Sequence, residues 1–132
     1  MQACRLTIIT KADEQETTFT HEGEMELSPT AVTLRYREEN AEVFLRLQGE
    51  TAMIERRGDY SLRLALVRGE MQPGEIGIGG SSGEILAYTH KIAYSVTKDS
   101  LLLSLRYDLI MGGEPQKMQL RLLSRFKKEE TL

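Results

Sequence analysis

Leu101-Leu102-Leu103-Ser104-Leu105-Arg106-Tyr107-Asp108-Leu109-Ile110-Met111 sets the pattern that the rest of the chain repeats. Leu101, Leu103, Leu105, Tyr107, Leu109 and Met111 fall on every second position, between Leu102, Ser104, Arg106, Asp108 and Ile110. Side chains of a strand alternate sides, so this pattern predicts a strand with one buried face. Lys98-Asp99-Ser100 marks its start, and Gly112-Gly113-Glu114-Pro115 is a turn cluster that ends it. A second alternating run begins at Met118, and the two runs predict an antiparallel hairpin.

The same pattern recurs from the N-terminus. Residues 5–9 form a short β-branched run, with Lys11-Ala12-Asp13-Glu14 as its turn. Over residues 17–27, Thr17, Phe19, His21, Gly23, Met25 and Leu27 share one face, and Glu22, Glu24 and Glu26 make the other acidic. A half-buried strand is expected there, bent or bulged at Gly23. Ser28-Pro29-Thr30 stops it, and Val32, Leu34 and Tyr36 begin the next alternation. After a turn at Glu38-Glu39-Asn40-Ala41 come Val43, Leu45 and Leu47, then the turn Gly49-Glu50. Ala52, Ile54 and Arg56 share a face of the strand over residues 51–57, which Gly58-Asp59 closes.

Tyr60, Leu62, Leu64 and Leu66 alternate in turn. Leu and Ala are good helix formers, yet flanking turn signals at hairpin spacing favour a strand here as well. Residues 69–83 hold six of the eleven glycines, with Pro73, Ser81 and Ser82, and read as a long irregular loop. Residues 84–90 and 92–97 then form an extended pair or one bent strand carrying Tyr88 and Tyr94. No segment shows capped helical periodicity over three turns. The sum is an all-β chain, a closed antiparallel up-and-down barrel of eight to ten strands in one domain over residues 1–132. Closure removes the edges an open sheet of that size would expose.

Composition narrows the function. No apolar run is long enough for a membrane helix, and the N-terminus lacks the charged and apolar regions of a signal peptide. The single cysteine, Cys4, excludes an internal disulfide and suits a reducing compartment, so a cytoplasmic location is expected. Net charge is −3, with 17 basic residues interspersed among 20 acidic ones, which argues against nucleic acid as a partner. The basic cluster Arg125-Phe126-Lys127-Lys128 is followed at once by Glu129 and Glu130 and reads as a solvated strand end and tail.

Gly79-Gly80-Ser81-Ser82-Gly83 matches the G-x-S-x-G pattern of a nucleophile elbow, but that device needs a following helix and a later acid and histidine in order. No helix is expected there, and the nearest partners, His90 and Asp99, come in the wrong order, so the segment reads as flexible loop and the protein as no enzyme. Cys4, His21 and His90 lack the paired spacing of metal ligands, and no metal or cofactor is expected. Arg56 shares the apolar face with Ile54 and Ala52, so its guanidinium needs a partner: an internal carboxylate, or an anionic ligand in a water-filled barrel. His21 lies among Phe19, Gly23 and Met25 on a similar face. Tyr36, Tyr88, Tyr94 and Tyr107 are wall and core residues whose hydroxyls could reach a ligand. The candidate ligand-binding set is Arg56, His21, Tyr36, Tyr88 and Tyr107.

At Ile54-Glu55-Arg56-Arg57-Gly58, Tyr88-Thr89 and Leu105-Arg106-Tyr107-Asp108-Leu109, the chain resembles the YwiB-like family of small bacterial proteins, from about residue 30 onward. The resemblance implies a calycin-like, lipocalin-type barrel and brings no assigned activity. Of the family's recurring positions, Arg56, Gly58, Tyr88, Thr89 and Tyr107 match, while Lys91-Ile92 stands where the family tends to carry a Tyr-Gly pair. Two functions fit. One is a non-catalytic cytoplasmic binding protein for a small amphipathic or anionic molecule, anchored by Arg56, with no membrane contact and with a homodimer as an admitted state. The other is an interaction or assembly module whose barrel is filled by side chains.

Overall fold

The computed structural model describes residues 1–127. Lys128, Glu129 and Glu130 of the basic-acidic tail lie outside the described residues. Ten strands follow one another: β1 (Gln2–Ala12), β2 (Gln15–Leu27), β3 (Val32–Glu38), β4 (Ala41–Gln48), β5 (Thr51–Gly58), β6 (Tyr60–Val67), β7 (Met71–Ile78), β8 (Ser81–Val96), β9 (Ser100–Ile110) and β10 (Gln116–Phe126). Each pairs antiparallel with its sequence neighbour, and β1 pairs with β10 to close the barrel. The β9 stretch meets β10 in the expected hairpin, with Leu105 opposite Leu120 and Leu103 opposite Leu122. No helix long and apolar enough to cross a membrane occurs among the described residues.

Alternation fills the interior. Leu6, Met25, Leu34, Leu47, Leu64, Leu66, Ile85, Leu101, Leu103, Leu105 and Leu122 are fully buried and belong to one contiguous core. Such residues show no surface to a water-sized sphere, whether from outside or from an enclosed void. The middle of the barrel is therefore packed with side chains.

Residues 69–83 are not a loop. β7 pairs with β8 along its whole length, from Met71 with Tyr88 to Ile78 with Ser81. Its pairing with β6 stops at Glu75 and Arg63, and Pro73 lies beyond that point, where its missing N–H costs no ladder bond. Gly74 marks close packing, since a Cβ there would come within 3.0 Å of Leu64 Cδ2 and 3.2 Å of Ile85 Cγ2. Gly79 and Gly80, at φ 57° and 83°, make the two-residue hairpin turn that needs positive φ at both positions. The G-x-S-x-G match is this turn and the start of β8, with a strand where the elbow requires a helix.

β8 is one bent strand. Its register with β9 slips between Thr89 and Lys91, which leaves His90 as the extra residue of a bulge. Ile85, Ala87 and Thr89 point inward before the bulge, and Ile92 and Tyr94 after it. The bulge thus exchanges odd positions for even ones on the inner face.

Gly23 brings neither bulge nor register slip, since β2 pairs continuously with β1 through it. Its function is close approach: a Cβ would strike the Arg35 carbonyl oxygen and come within 2.9 Å of Tyr36 Cβ. Gly23 opposite Tyr36 is also the last pair between β2 and β3. Toward the turn at Asp13, residues 15–22 of β2 pair with β1 alone. The wall divides there, and a cleft opens.

Candidate functional site

The cleft has a volume of about 440 Å³ and lies between the β1–β2 arm and the ends of β3 and β5. Ile8 and Thr10 of β1 and Thr17, Phe19 and His21 of β2 supply one side; Tyr36, Glu38 and Arg56 are on the other. Because β2 outlasts β3, Phe19 keeps its inward parity but has no wall opposite it, and 58% of its surface is exposed. The rings form a stacked row. Phe19 and His21 have centroids 6.0 Å apart with planes at 27°, and His21 and Tyr36 are at 5.3 Å and 25°.

Arg56 reaches the floor of this cleft and is almost buried. Its Nη2 sits 2.8 Å from Asp59 Oδ1, its Nε 3.4 Å from Glu38 Oε2, and its Nη1 donates to the Tyr60 carbonyl at 2.7 Å. The guanidinium carbon lies 3.7 Å from the Tyr60 ring centroid, a cation–π contact. Burial works against the charge of Arg56; the Asp59 hydrogen bond, Tyr60 and Glu38 outweigh it and raise its pKa. That same hydrogen bond holds the Asp59 carboxyl below its ordinary value. The internal-carboxylate reading of Arg56 therefore describes its surroundings, and the guanidinium is already met by two carboxylates.

Two buried phenols stand near this corner, Tyr36 in the cleft lining and Tyr107 outside it. Burial, and then Glu38, push the Tyr36 hydroxyl far above its ordinary pKa. Burial and nearby Tyr60 push Tyr107 up to about 12. Among the described residues neither hydroxyl makes a hydrogen bond, whereas Tyr94 donates to the Gly49 carbonyl at 2.9 Å and ties β8 to the β4–β5 turn.

The structure thus brings Arg56, His21 and Tyr36 into one cleft and places Tyr107 in the core near Tyr36, outside the cleft lining. Tyr88 is not part of it. It precedes the bulge on the outer face of β8, with its ring edge-on to His90 at 4.9 Å, and His90 Nε2 lies 2.9 Å from Asp108 Oδ2. Cys4 is buried in β1, and no three residues of metal-ligating type come together among the described residues. Asp59, Glu38 and Tyr60 are the residues sequence reasoning left as turn and strand-end positions. The one available signal was the separation of three between Arg56 and Asp59 across Gly58. A Cβ at Gly58 would strike the Asn40 carbonyl oxygen and come within 2.6 Å of Ala41 Cβ, so glycine lets the β3–β4 turn close over this corner.

A closed ten-stranded antiparallel barrel with a packed interior and a side-chain-lined mouth is an up-and-down β-barrel, the architecture the alternation predicts. The chain belongs to the family described as "Domain of unknown function (DUF1934)", whose model matches residues 4–122. Its fold is similar to the crystal structure of the ywiB protein from Bacillus subtilis, with a TM-score of 0.78 and 14% identity over 96% of this chain and 91% of that one. A comparison with curated proteins finds no match.

Proposed function

We propose that this chain is a non-catalytic binding protein of the reducing cytoplasm that holds a small, uncharged amphipathic molecule in the mouth of its barrel. The observation that carries this reading is the stacked row of Phe19, His21 and Tyr36 in the cleft. An exposed ring row offers a planar or apolar group a face on which each well-placed contact adds about 0.5–1.5 kcal/mol beyond burial. The Tyr36 hydroxyl makes no hydrogen bond among the described residues and can donate to an acceptor atom on the ligand, a bond that contributes about 0.5–1.5 kcal/mol. An anion fits less well: Glu38 and Glu39 line the cleft and Arg56 is already neutralised.

Thermal shift and tyrosine fluorescence against a panel of neutral planar amphiphiles and their carboxylate analogues test this. The neutral members should raise the melting temperature, and Phe19→Ala and Tyr36→Phe should each remove the effect. A preference for the carboxylates, or binding that survives both substitutions, would reject the reading.

A further inference from the structure

The net charge of −3 conceals a segregation that the strand register makes visible. Over β3 to β6, Arg37 meets Glu42 at 3.4 Å and Arg57 and Arg63 meet Glu55 at 3.8 and 3.5 Å, and Arg68 just beyond meets Glu50 at 3.0 Å, while Arg35 and Arg46 join no ion pair among the described residues. The outer wall of β8, β9, β10 and β1 is different. Lys11 pairs across to Gln119, Gln119 to Arg106 and Arg106 to Lys91, so that three cations share one row over four strands. Arg121 stands in the next row, opposite Ile9 and Ser104. Among the described residues none of Lys11, Lys91, Arg106 and Arg121 joins an ion pair within 4.0 Å; Asp108 is occupied by His90 and Asp13 by the Lys117 amide, and Glu16 on β2, opposite Lys11, bounds the row.

One row further on, Leu102 and Leu123 face each other as a cross-strand pair, 58% and 38% exposed. Single exposed leucines need no explanation. A facing pair forms one continuous apolar spot, and this one adjoins a patch of unpaired cations about 15 Å across at the usual strand spacing.

We propose that this wall docks an acidic segment of a partner protein that carries apolar side chains between its carboxylates. Charge complementarity chooses the sign of the partner, and the acidic remainder of the molecule orients the wall toward it during encounter. The leucine pair chooses the class. Phosphodiesters gain nothing from leucine, and the row next to Arg106 sets the Asp108 carboxylate opposite Tyr88, which repels a phosphate. A convex barrel wall with two leucines also offers a bilayer little to insert. The inference is independent of the mouth cleft, which lies on another part of the barrel.

Fluorescence anisotropy with a labelled synthetic peptide alternating glutamate and leucine tests it, beside a peptide with serine in place of leucine, an oligodeoxythymidylate and phosphatidylserine vesicles. The glutamate-leucine peptide should bind most tightly. Arg106→Glu with Arg121→Glu, and separately Leu102→Ser with Leu123→Ser, should each weaken it about tenfold. Arg46→Glu, on β4, should not. All these side chains except that of Arg46 lie on the proposed wall, all are exposed, and circular dichroism melts verify that every variant folds. Equal affinity for the two peptides, tighter binding of the oligonucleotide or the vesicles, or no binding of either peptide would overturn the proposal.

Discussion

Arg56 and Asp59 are joined across the β5–β6 turn by a 2.8 Å contact between Nη2 and Oδ1, one partner nearly buried and the other open to solvent. That asymmetry sets what the pair can contribute. Asp59 keeps most of its water, so the pair avoids the double desolvation that makes fully buried ion pairs costly. Arg56 in turn gains partners for all three of its nitrogens: Asp59, Glu38 and the Tyr60 carbonyl.

Arg56→Met should accordingly lower stability by about 1–3 kcal/mol, less than the 3–5 kcal/mol that follows when a fully buried charge is stranded. Urea unfolding measures it, with an unchanged slope as the sign that only stability moved. A loss outside that range in either direction would contradict the geometry described for Arg56.

Tyr107 predicts an alkaline limit. Its pKa is raised from 10.0 to about 12 in the folded chain, so the contribution is complete below 10.0 and is lost as pH rises toward about 12. Tyr107→Phe should flatten the fall of stability over that window, as followed by denaturant titration and tyrosinate absorbance. An equally steep alkaline fall in the variant would show that Tyr107 does not titrate late.

Gly23→Ala and Gly113→Ala form a matched pair. The first places a methyl against the Arg35 carbonyl and Tyr36; the second meets nothing within 4 Å. Thermal denaturation should show a loss of about 1–3 kcal/mol for Gly23→Ala and almost none for Gly113→Ala. Equal effects would mean that β2 and β3 do not approach as closely as described.

His90 tests the bulge. His90→Ala removes a half-exposed side chain and one hydrogen bond to Asp108, so a folded barrel with a modest loss is expected. Deleting His90 is a different change, because Lys91 would then follow Thr89 directly, the register with β9 would run unbroken from Tyr107 to Arg106, and Ile92 and Tyr94 would keep facing inward while the bend is lost. Circular dichroism and a cooperative melt should survive both changes, and loss of the melt after the deletion alone would show that β8 needs its bend to close the barrel.

Much of this was legible in the residues. Period-two alternation located the paired strands from Val32 to Val67 and from Leu101 onward, and parity placed Arg56 on the inner face of β5. β7 escaped notice because two glycines and a proline supply no alternation, while its pairing is long on one side only. Tyr88 and Tyr94 share parity in the chain and were read together; one inserted residue sends them to opposite faces. The partners of Arg56 lie in or beside turns, where alternation says nothing. Only the register that brings Glu38 to Arg56 reveals them.

The early parting of β2 from β3 gives the mouth a built-in reporter. Amides of residues 15–22 are held by the β1 ladder alone, so they belong to the part of the barrel that opens at least cost and exchanges with deuterated solvent earliest. A molecule resting on Phe19 and His21 would brace that arm against the rim, and its arrival would register as slowed exchange along half of one strand while the packed centre stayed silent.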